Sequence, residues 1–523
     1  MELKQHLIHR KYYKCEAKNQ ITIGDDYSIP DGKSDIGAVL QKKAEFQVDE
    51  VHTEKGKVRI QGTLKLWVLY LTERSSKPLD FLETEFSVDE ILYMDGAENG
   101  DNLKIDWNVE ELKVAIVHPG KISVRVIVSL SGQIRGTERY LVAEGMDPTE
   151  NVYLKTNTYT FAEPVYERND SYRIRDEISL PANKPNVQKV LWQDLQLRGL
   201  DLRIQEGKIG VKGELLLFVV YEGEDENSTI QWIEQAVPFH GNVEVSGLTS
   251  EMFGILESEI AHSLVEIKPD YDGEMRMFQV EMFVNIHMNL YEERMCNLLK
   301  DAYSTKEQLN LQSEQIAYEK LRMCNQTKCR INGQEKIEAN IKIMQILGQH
   351  VKLQGKRYKI TNQGILCEGM LEVQILFVAS SDRQPFGGAN ISVPYSQLIE
   401  IPEIEKTDSW KVCENIEQIF ITMPDGNTFE VRGVIQLNAC VLQQCSLENI
   451  TAIESKNYDM ESYKELPGMT IHFVQPKETL WSIAKDNRTT MDEIKKANEL
   501  QLDEVAVGQK LLLLKSNIEN IFL

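Results

Sequence analysis

The residues whose types and spacing could support chemistry do not assemble a catalytic motif. Gly32-Lys33-Ser34 could end a phosphate-binding loop, but that motif needs a glycine five positions before Gly32, and Tyr27 stands there. Gly-x-Ser-x-Gly, His-Glu-x-x-His and Gly-x-Gly-x-x-Gly patterns are all missing, and the nine histidines are scattered. The sequence therefore predicts a protein that is not an enzyme and has no cofactor.

The cysteines predict neither a metal site nor a disulfide framework. Cys324 and Cys329 are separated by four residues, as are Cys440 and Cys445, and no histidine lies nearby in sequence. That spacing is loose for zinc, so we expect no metal. The polar start of the chain lacks the apolar segment of a secretory signal. We therefore expect a cytoplasmic protein whose eight cysteines are free thiols.

Net charge and hydropathy limit the kinds of molecule that the protein is expected to bind. The 523 residues include 58 Lys and Arg against 81 Asp and Glu, a net charge of −23. Nucleic acids and anionic membranes need a basic face, so neither is expected as a partner. The apolar runs are too short to span a bilayer, and no transmembrane segment is predicted. With 42% hydrophobic residues, the chain has material for several buried cores.

One strand pattern occurs three times. Segments 58–70, 209–221 and 365–377 place apolar residues at every second position, and each carries a glycine on the apolar face, at Gly62, Gly213 and Gly369. This alternation predicts long strands with one buried face. A glycine on that face predicts a bulge or a close backbone approach.

The elements around these strands repeat as well, with a period near 150 residues, which indicates domains rather than solenoid units. We predict a mainly β chain with three β-sandwich-like repeat domains at 28–135, 178–292 and 332–442, with 306–320 as the best helical interlude. No titratable residue type recurs at matched positions. A domain duplicated for its chemistry should repeat its acid or base, so the three copies are interpreted as scaffold.

A different pattern follows a polar segment at 446–469 that is predicted to be a linker. Residues 471–474 alternate like a short strand, Thr479 is a good N-cap, and Thr490 to Glu493 is a capping box. Leu511 to Leu514 close a second strand. The sequence predicts a small β-α-α-β domain at 470–515.

The C-terminal domain resembles the LysM family. The resemblance rests on Phe473-Val474, Glu478-Thr479-Leu480-Trp481, Ile494, Asn498 and Leu500, and Val507-Gly508-Gln509, at conserved-looking spacing across the module. It implies a shallow groove for N-acetylglucosamine polymers, formed here by loops 476–479 and 498–503. Sugar-binding members usually carry Gly-Asp where this chain has Lys477-Glu478. The lost glycine and the Leu-rich last strand favour a groove that binds protein, with weak glycan binding left open.

The three repeats resemble the SPOCS-type domains of endospore-forming bacteria, through Lys184-Pro185-Asn186-Val187, the Glu-Gly-x-Leu strand core and Pro238-Phe239. Several copies followed by one LysM domain are similar to a family of spore coat morphogenesis proteins. That resemblance implies assembly at the forespore surface in the mother cell. It also implies that the LysM domain binds stage IV sporulation protein A, the coat's basement ATPase, beside other coat morphogenetic proteins.

We therefore predict a scaffold whose LysM domain docks a protein. Trp481 has two interpretations, a core anchor beside the first strand or a partly exposed interface residue. Two rival functions are a cell-wall glycan binder and a hydrolase that LysM targets to the wall. The residues predicted to bind the partner are Lys477, Trp481, Ile494, Asn498, Leu500 and Leu502.

Overall fold

The computed structural model describes residues 2–73, 77–225, 229–337, 342–381, 384–458 and 467–515. Repeat 1 comprises β1 (Leu3–Ser28), β2 (Ile36–Glu54), β3 (Lys57–Thr72), β4 (Leu79–Tyr93), β5 (Leu103–His118) and β6 (Lys121–Met146). Repeat 2 comprises β7 (Val152–Ser179), β8 (Val187–Gln205), β9 (Lys208–Gly223), β10 (Ile230–Glu244), β11 (Phe253–Pro269) and β12 (Met275–Ser304). Repeat 3 comprises β13 (Glu307–Lys336), β14 (Ile343–Thr361), β15 (Gly364–Ala379), β16 (Phe386–Glu400), β17 (Ser409–Asp425) and β18 (Thr428–Asn457).

Each repeat is a sandwich of two antiparallel three-stranded sheets. In repeat 1, the inner sheet has the order β2-β3-β4 and the outer sheet the order β1-β6-β5. Repeats 2 and 3 have the same two sheets, β8-β9-β10 with β7-β12-β11 and β14-β15-β16 with β13-β18-β17. One hydrophobic cluster fills the space between the sheets of each repeat. The predicted mainly β, sandwich-like fold is confirmed.

Long strands at the start and end of each repeat account for the differences from the sequence expectation. β1, β7 and β13 lie mostly before the predicted spans, yet each pairs along its length with β6, β12 or β18. The expected helix at 306–320 is wrong, because residues 307–320 belong to β13. Their helix propensity is overridden by pairing with β18. Residues 446–457 are not linker but the end of β18. Residues 459–466 of the predicted linker lie outside the described residues.

The three glycines are sites of close approach, as the alternation predicts. A Cβ at Gly62 would lie 2.8 Å from the ring of Phe46, one at Gly213 would lie 2.8 Å from the ring of Phe239, and one at Gly369 would meet the Tyr395 ring. The strand beside each glycine has a register shift at the same level. A ring therefore occupies the place of the missing side chain, and the bulge accommodates it.

Matched residues of the three repeats meet in one shared core. Leu69, Val220 and Leu376 each follow the repeat glycine by the same interval and lie in a single buried cluster. They are on the face of β3, β9 and β15 that points away from the sandwich core. A second cluster unites the far ends of the long strands, again with members from all three repeats. The repeats therefore pack as they would around an approximate threefold axis.

A charged triad around the buried Asp194 joins the three inner sheets. Lys43, Asp194 and His350 occupy the same position in their repeats, since they pair with the matched residues Trp67, Phe218 and Gln374. Asp194 Oδ2 lies 2.7 Å from His350 Nδ1, and Oδ1 lies 3.2 Å from Lys43 Nζ. Burial alone would raise the pKa of Asp194, but His350 and Lys43 outweigh it and hold that pKa well below its usual range.

Two cysteines depart from the free-thiol expectation. Cys324 on β13 is directly opposite Cys440 on β18, with their Cα atoms 4.1 Å apart, and the two form a disulfide. The other six cysteines are free. The pairing depends on strand register across more than a hundred residues, so local spacing did not reveal it.

We expect Gly213→Val to lower the free energy of unfolding by roughly 1–3 kcal/mol, because the new side chain would displace the Phe239 ring in a filled core. Gly24→Val on β1 is the control, since Gly24 is exposed and its nearest Cβ contact is an ordinary 3.4 Å. Chemical denaturation of both variants measures the difference. Equal stability of the two would refute the close-packing interpretation.

We expect Asp194→Asn to destabilise the protein by roughly 1.5–3 kcal/mol, because it removes the charged acceptor of His350 and leaves Lys43 with Glu45 alone. Asp201→Asn in the same repeat, which breaks a partly exposed pair with Arg203, should cost under about 1 kcal/mol.

Acid titration gives a second measurement of the same triad. The folded pKa of Asp194 is depressed, so its contribution is present above the unfolded value of about 3.9 and is lost as pH falls below it. The unmodified protein should lose more stability than Asp194→Asn over that acid range. Parallel curves for both proteins would contradict the assignment.

Candidate partner-docking site in the C-terminal module

The C-terminal module has the predicted β-α-α-β order. It consists of β19 (Met469–Phe473), α1 (Leu480–Asp486), α2 (Met491–Asn498) and β20 (Lys510–Leu514), with β19 and β20 paired antiparallel. Thr479 and Thr490 cap the two helices, and both capping boxes are formed. The caps satisfy backbone N–H groups that the short helices cannot satisfy themselves.

Three of the six predicted partner-binding residues have structural contacts inside the module. Ile494 is 1% exposed and belongs to the core. Asn498 joins α2 to β20: its Nδ2 donates to the carbonyls of Ile494 and Leu512, and its Oδ1 accepts from the Leu512 N–H. Leu500 is half-buried against the same core. These three side chains fix the shape of the loop at 498–503.

Trp481 connects the module to repeat 2. Its Nε1 donates to Asp301 Oδ2 at 2.8 Å, and its ring meets Tyr303 edge-on at 4.8 Å. Lys485 Nζ lies 2.7 Å from Asp301 Oδ1, and the Tyr303 hydroxyl donates to the Thr489 carbonyl. Tyr303 is 3% exposed, so the contact is well packed. While the module stays docked, the Nε1 of Trp481 and the part of its ring that meets Tyr303 are occupied by repeat 2, and the rest of the side chain is partly exposed.

The remaining two predicted residues are exposed. Lys477 lies in the loop after β19, and Leu502 is 68% exposed in the loop after α2. Lys477 has a φ of 74°, a backbone conformation that favours glycine. Lys477 therefore holds this left-handed conformation at an energetic cost.

The outer face of the module's sheet was not predicted as a site. Met469, Ile471 and Phe473 of β19 are between 50% and 62% exposed, and Leu514 of β20 is 45% exposed. Met469 pairs with Leu514, and Ile471 pairs with Leu512, so these side chains share one face. The Leu-rich sequence of β20 was the available signal: Leu511 and Leu513 fill the core, which sends the alternate leucines outward. We call Met469, Ile471, Phe473 and Leu514 the outer sheet face.

Comparison with known proteins identifies the domains. The description "SipL, SPOCS domain" matches residues 35–117, 186–268 and 342–424, and the description "LysM domain" matches residues 472–513. The chain is a SPOCS-repeat protein of SipL-like architecture. Over 38 residues, it is also 55% identical to the probable endopeptidase p60 of Listeria seeligeri. That match spans 7% of each protein and lies in the LysM region. No solved structure matches the chain.

Each SPOCS match covers only part of a sandwich. It contains the three strands of the inner sheet and the short edge strand of the outer sheet, β5, β11 or β17. The long strands of the outer sheets lie outside the matches. The second shared core and the LysM contact on β12 are therefore features of the SPOCS–LysM chain beyond the matched segments.

The matched domains are non-catalytic binding domains, and together they fit a sporulation or cell-wall-binding protein. Within the six described ranges, no cluster of His, Cys, Asp or Glu could hold a metal ion. Neither α1 nor α2 has the length and hydropathy to cross a bilayer, and no other helix occurs in the described ranges.

We expect Asp301→Ala to release the LysM domain from repeat 2, because Trp481 and Lys485 lose their shared acceptor. Hydrogen exchange of amides in 480–490 should accelerate roughly tenfold, the equivalent of about 1.4 kcal/mol. Asp486→Ala, at an exposed position on α1, is the control and should leave exchange unchanged. Similar exchange in both variants would show that the contact does not hold the domain.

Proposed function

We propose that this protein is a non-enzymatic scaffold in bacterial endospore coat assembly. Its LysM domain docks a partner of the stage IV sporulation protein A type, at the forespore surface in the mother cell. The observation that carries the proposal is the outer sheet face, an apolar surface beside an exposed lysine on a LysM domain joined to SPOCS repeats. Contiguous exposed apolar surface is typical of interaction sites.

The chemistry of this surface favours a protein partner. Four large apolar side chains on a flat sheet offer area for burial but few hydrogen-bonding groups for a sugar. Lys510 lies 5.6 Å from the Phe473 ring, and Lys477 is in the loop that follows Phe473. A complementary partner presents apolar side chains with acidic residues at the rim.

The SPOCS repeats suit the role of a platform. Their two shared cores join three sandwiches into one unit, and the LysM domain rests on the middle repeat. Several weak surfaces on one chain gain avidity at an assembling shell, because each contact raises the effective concentration of the next. A fixed arrangement preserves that gain by limiting the conformations lost on binding.

We expect Lys477→Glu to weaken co-purification of a stage IV sporulation protein A partner at least tenfold, through repulsion from an acidic rim. Lys477→Gly should also weaken binding while raising the melting temperature, because glycine relieves the positive φ. Lys496→Glu, on the exposed part of α2, is the charge-matched control. Unchanged capture of the partner by both Lys477 variants would refute the proposed surface.

A glycan-binding function is the second candidate. The observation in its favour is the 55% identity to the LysM region of a probable endopeptidase. Pull-down of the full chain on insoluble peptidoglycan separates the two functions. Saturable binding that is lost with changes in loops 476–479 and 498–503, together with no capture of the coat ATPase, would favour the glycan function.

A further inference from the structure

A cavity of about 310 Å³ lies where the three repeats meet, away from the LysM domain. Repeat 1 contributes Arg10 and Arg135, repeat 2 contributes Tyr291, and repeat 3 contributes Glu319, Trp410 and Lys411. Its size is at the lower end of small-molecule sites, enough for a compound with a single ring. The cavity exists only because the repeats are joined, so it is absent from any one sandwich.

The cavity is cationic in a chain that is strongly acidic overall. Arg135 hydrogen-bonds only to neutral groups among the described residues, the Tyr13 hydroxyl and the Asn289 side-chain oxygen. Lys411 pairs with Glu257, as Arg10 pairs with Glu138 and Lys11 with Glu167. Among the basic residues that line the cavity, Arg135 is therefore the one without an ion pair in the described part of the chain, and its charge is available to an anion.

Arg10 and Glu319 also line the cavity, and Arg10 has a hydrogen-bond donor that no described residue uses. Arg10 pairs with Glu138, but its buried Nε has no hydrogen-bond partner in the described part of the chain. Glu319 is 6% exposed and accepts hydrogen bonds from Ser409 and Gln444. Burial raises the pKa of Glu319, and the charges of Arg10 and Arg135 oppose that shift.

Aromatic side chains supply flat walls beside these charges. Trp410 is held edge-on by Tyr358 at 5.8 Å, and Tyr291 stacks on Phe253 at 5.8 Å. The Arg135 guanidinium lies 5.1 Å from the Tyr13 ring centroid. Rings that are fixed by neighbours can sandwich a planar ligand at little entropic cost.

We propose that this cavity binds a small organic anion, an aromatic ring that carries a carboxylate or a phosphate. The acidic group is recognised by Arg135, Arg10 and Lys411, and the ring by Trp410 and Tyr291. Because all three repeats contact it, the bound anion stabilises the joined form of the SPOCS region.

Calorimetric titration of the full chain tests the proposal with benzoate, phenyl phosphate, neutral benzamide and inorganic phosphate. One site per chain should bind benzoate or phenyl phosphate at least tenfold more tightly than benzamide or inorganic phosphate. The two aromatic anions distinguish a carboxylate ligand from a phosphate ligand. Arg135→Gln should weaken binding at least tenfold, and Arg139→Gln, at an exposed position on the same strand, should not change it.

A second variant keeps the test decisive if Arg135→Gln fails to fold. Trp410→Leu should weaken binding of the aromatic anions and leave any residual binding of inorganic phosphate unchanged. No saturable binding of either aromatic anion at 10 mM, on the order of the weakest affinities of small ligands, would overturn the proposal. Equal binding by the Arg135 and Arg139 variants, or equal binding of phenyl phosphate and inorganic phosphate, would overturn it as well.

Discussion

The placement of the Asp194 carboxylate between Lys43 and His350 is the constraint on which the arrangement of the SPOCS region depends. Three identical charged residues at this level would repel one another, whereas a base, an acid and an imidazole attract. The triad therefore requires the three copies to differ at a matched position. It favours one chain with three distinct repeats over the association of three equivalent ones. The two shared cores and the cavity require that arrangement.

The sequence predicted the inner sheets because their strands have a period of two with a glycine at a fixed place. β3, β9 and β15 each bury one face in a sandwich, so local alternation was enough to identify them. The helix prediction within β13 was wrong because this strand does not bury every second residue along its length. It is held by pairing with β18 and by contacts with other repeats. The contact of Asp194 with His350 joins residues 156 positions apart. The local spacing of apolar residues cannot predict such a contact.

In the LysM module, too, features set by residues close in sequence were predictable, and contacts with residues distant in sequence were not. Its caps, its core residue Ile494 and its element order follow from spacing within a few turns of chain. Asp301 and Tyr303 were missed as the partners of Trp481, because they are about 180 residues away and belong to an ordinary strand pattern. The partner contacts of Lys477 and Leu502 stay a prediction, and the outer sheet face joins them as a hypothesis.

The position of the LysM contact near the end of β12 has a mechanical consequence. A pull on this domain that passes through Asp301 enters β12 at the end that is bonded to β7, whereas β11 pairs with the other part of β12, Met275–Tyr291. Load directed along a strand is shared by many ladder bonds at once, whereas load across a sheet edge breaks them one after another. The contact with the LysM domain thus lies on the long β7–β12 pair, whose ladder bonds carry tension along the strands in shear.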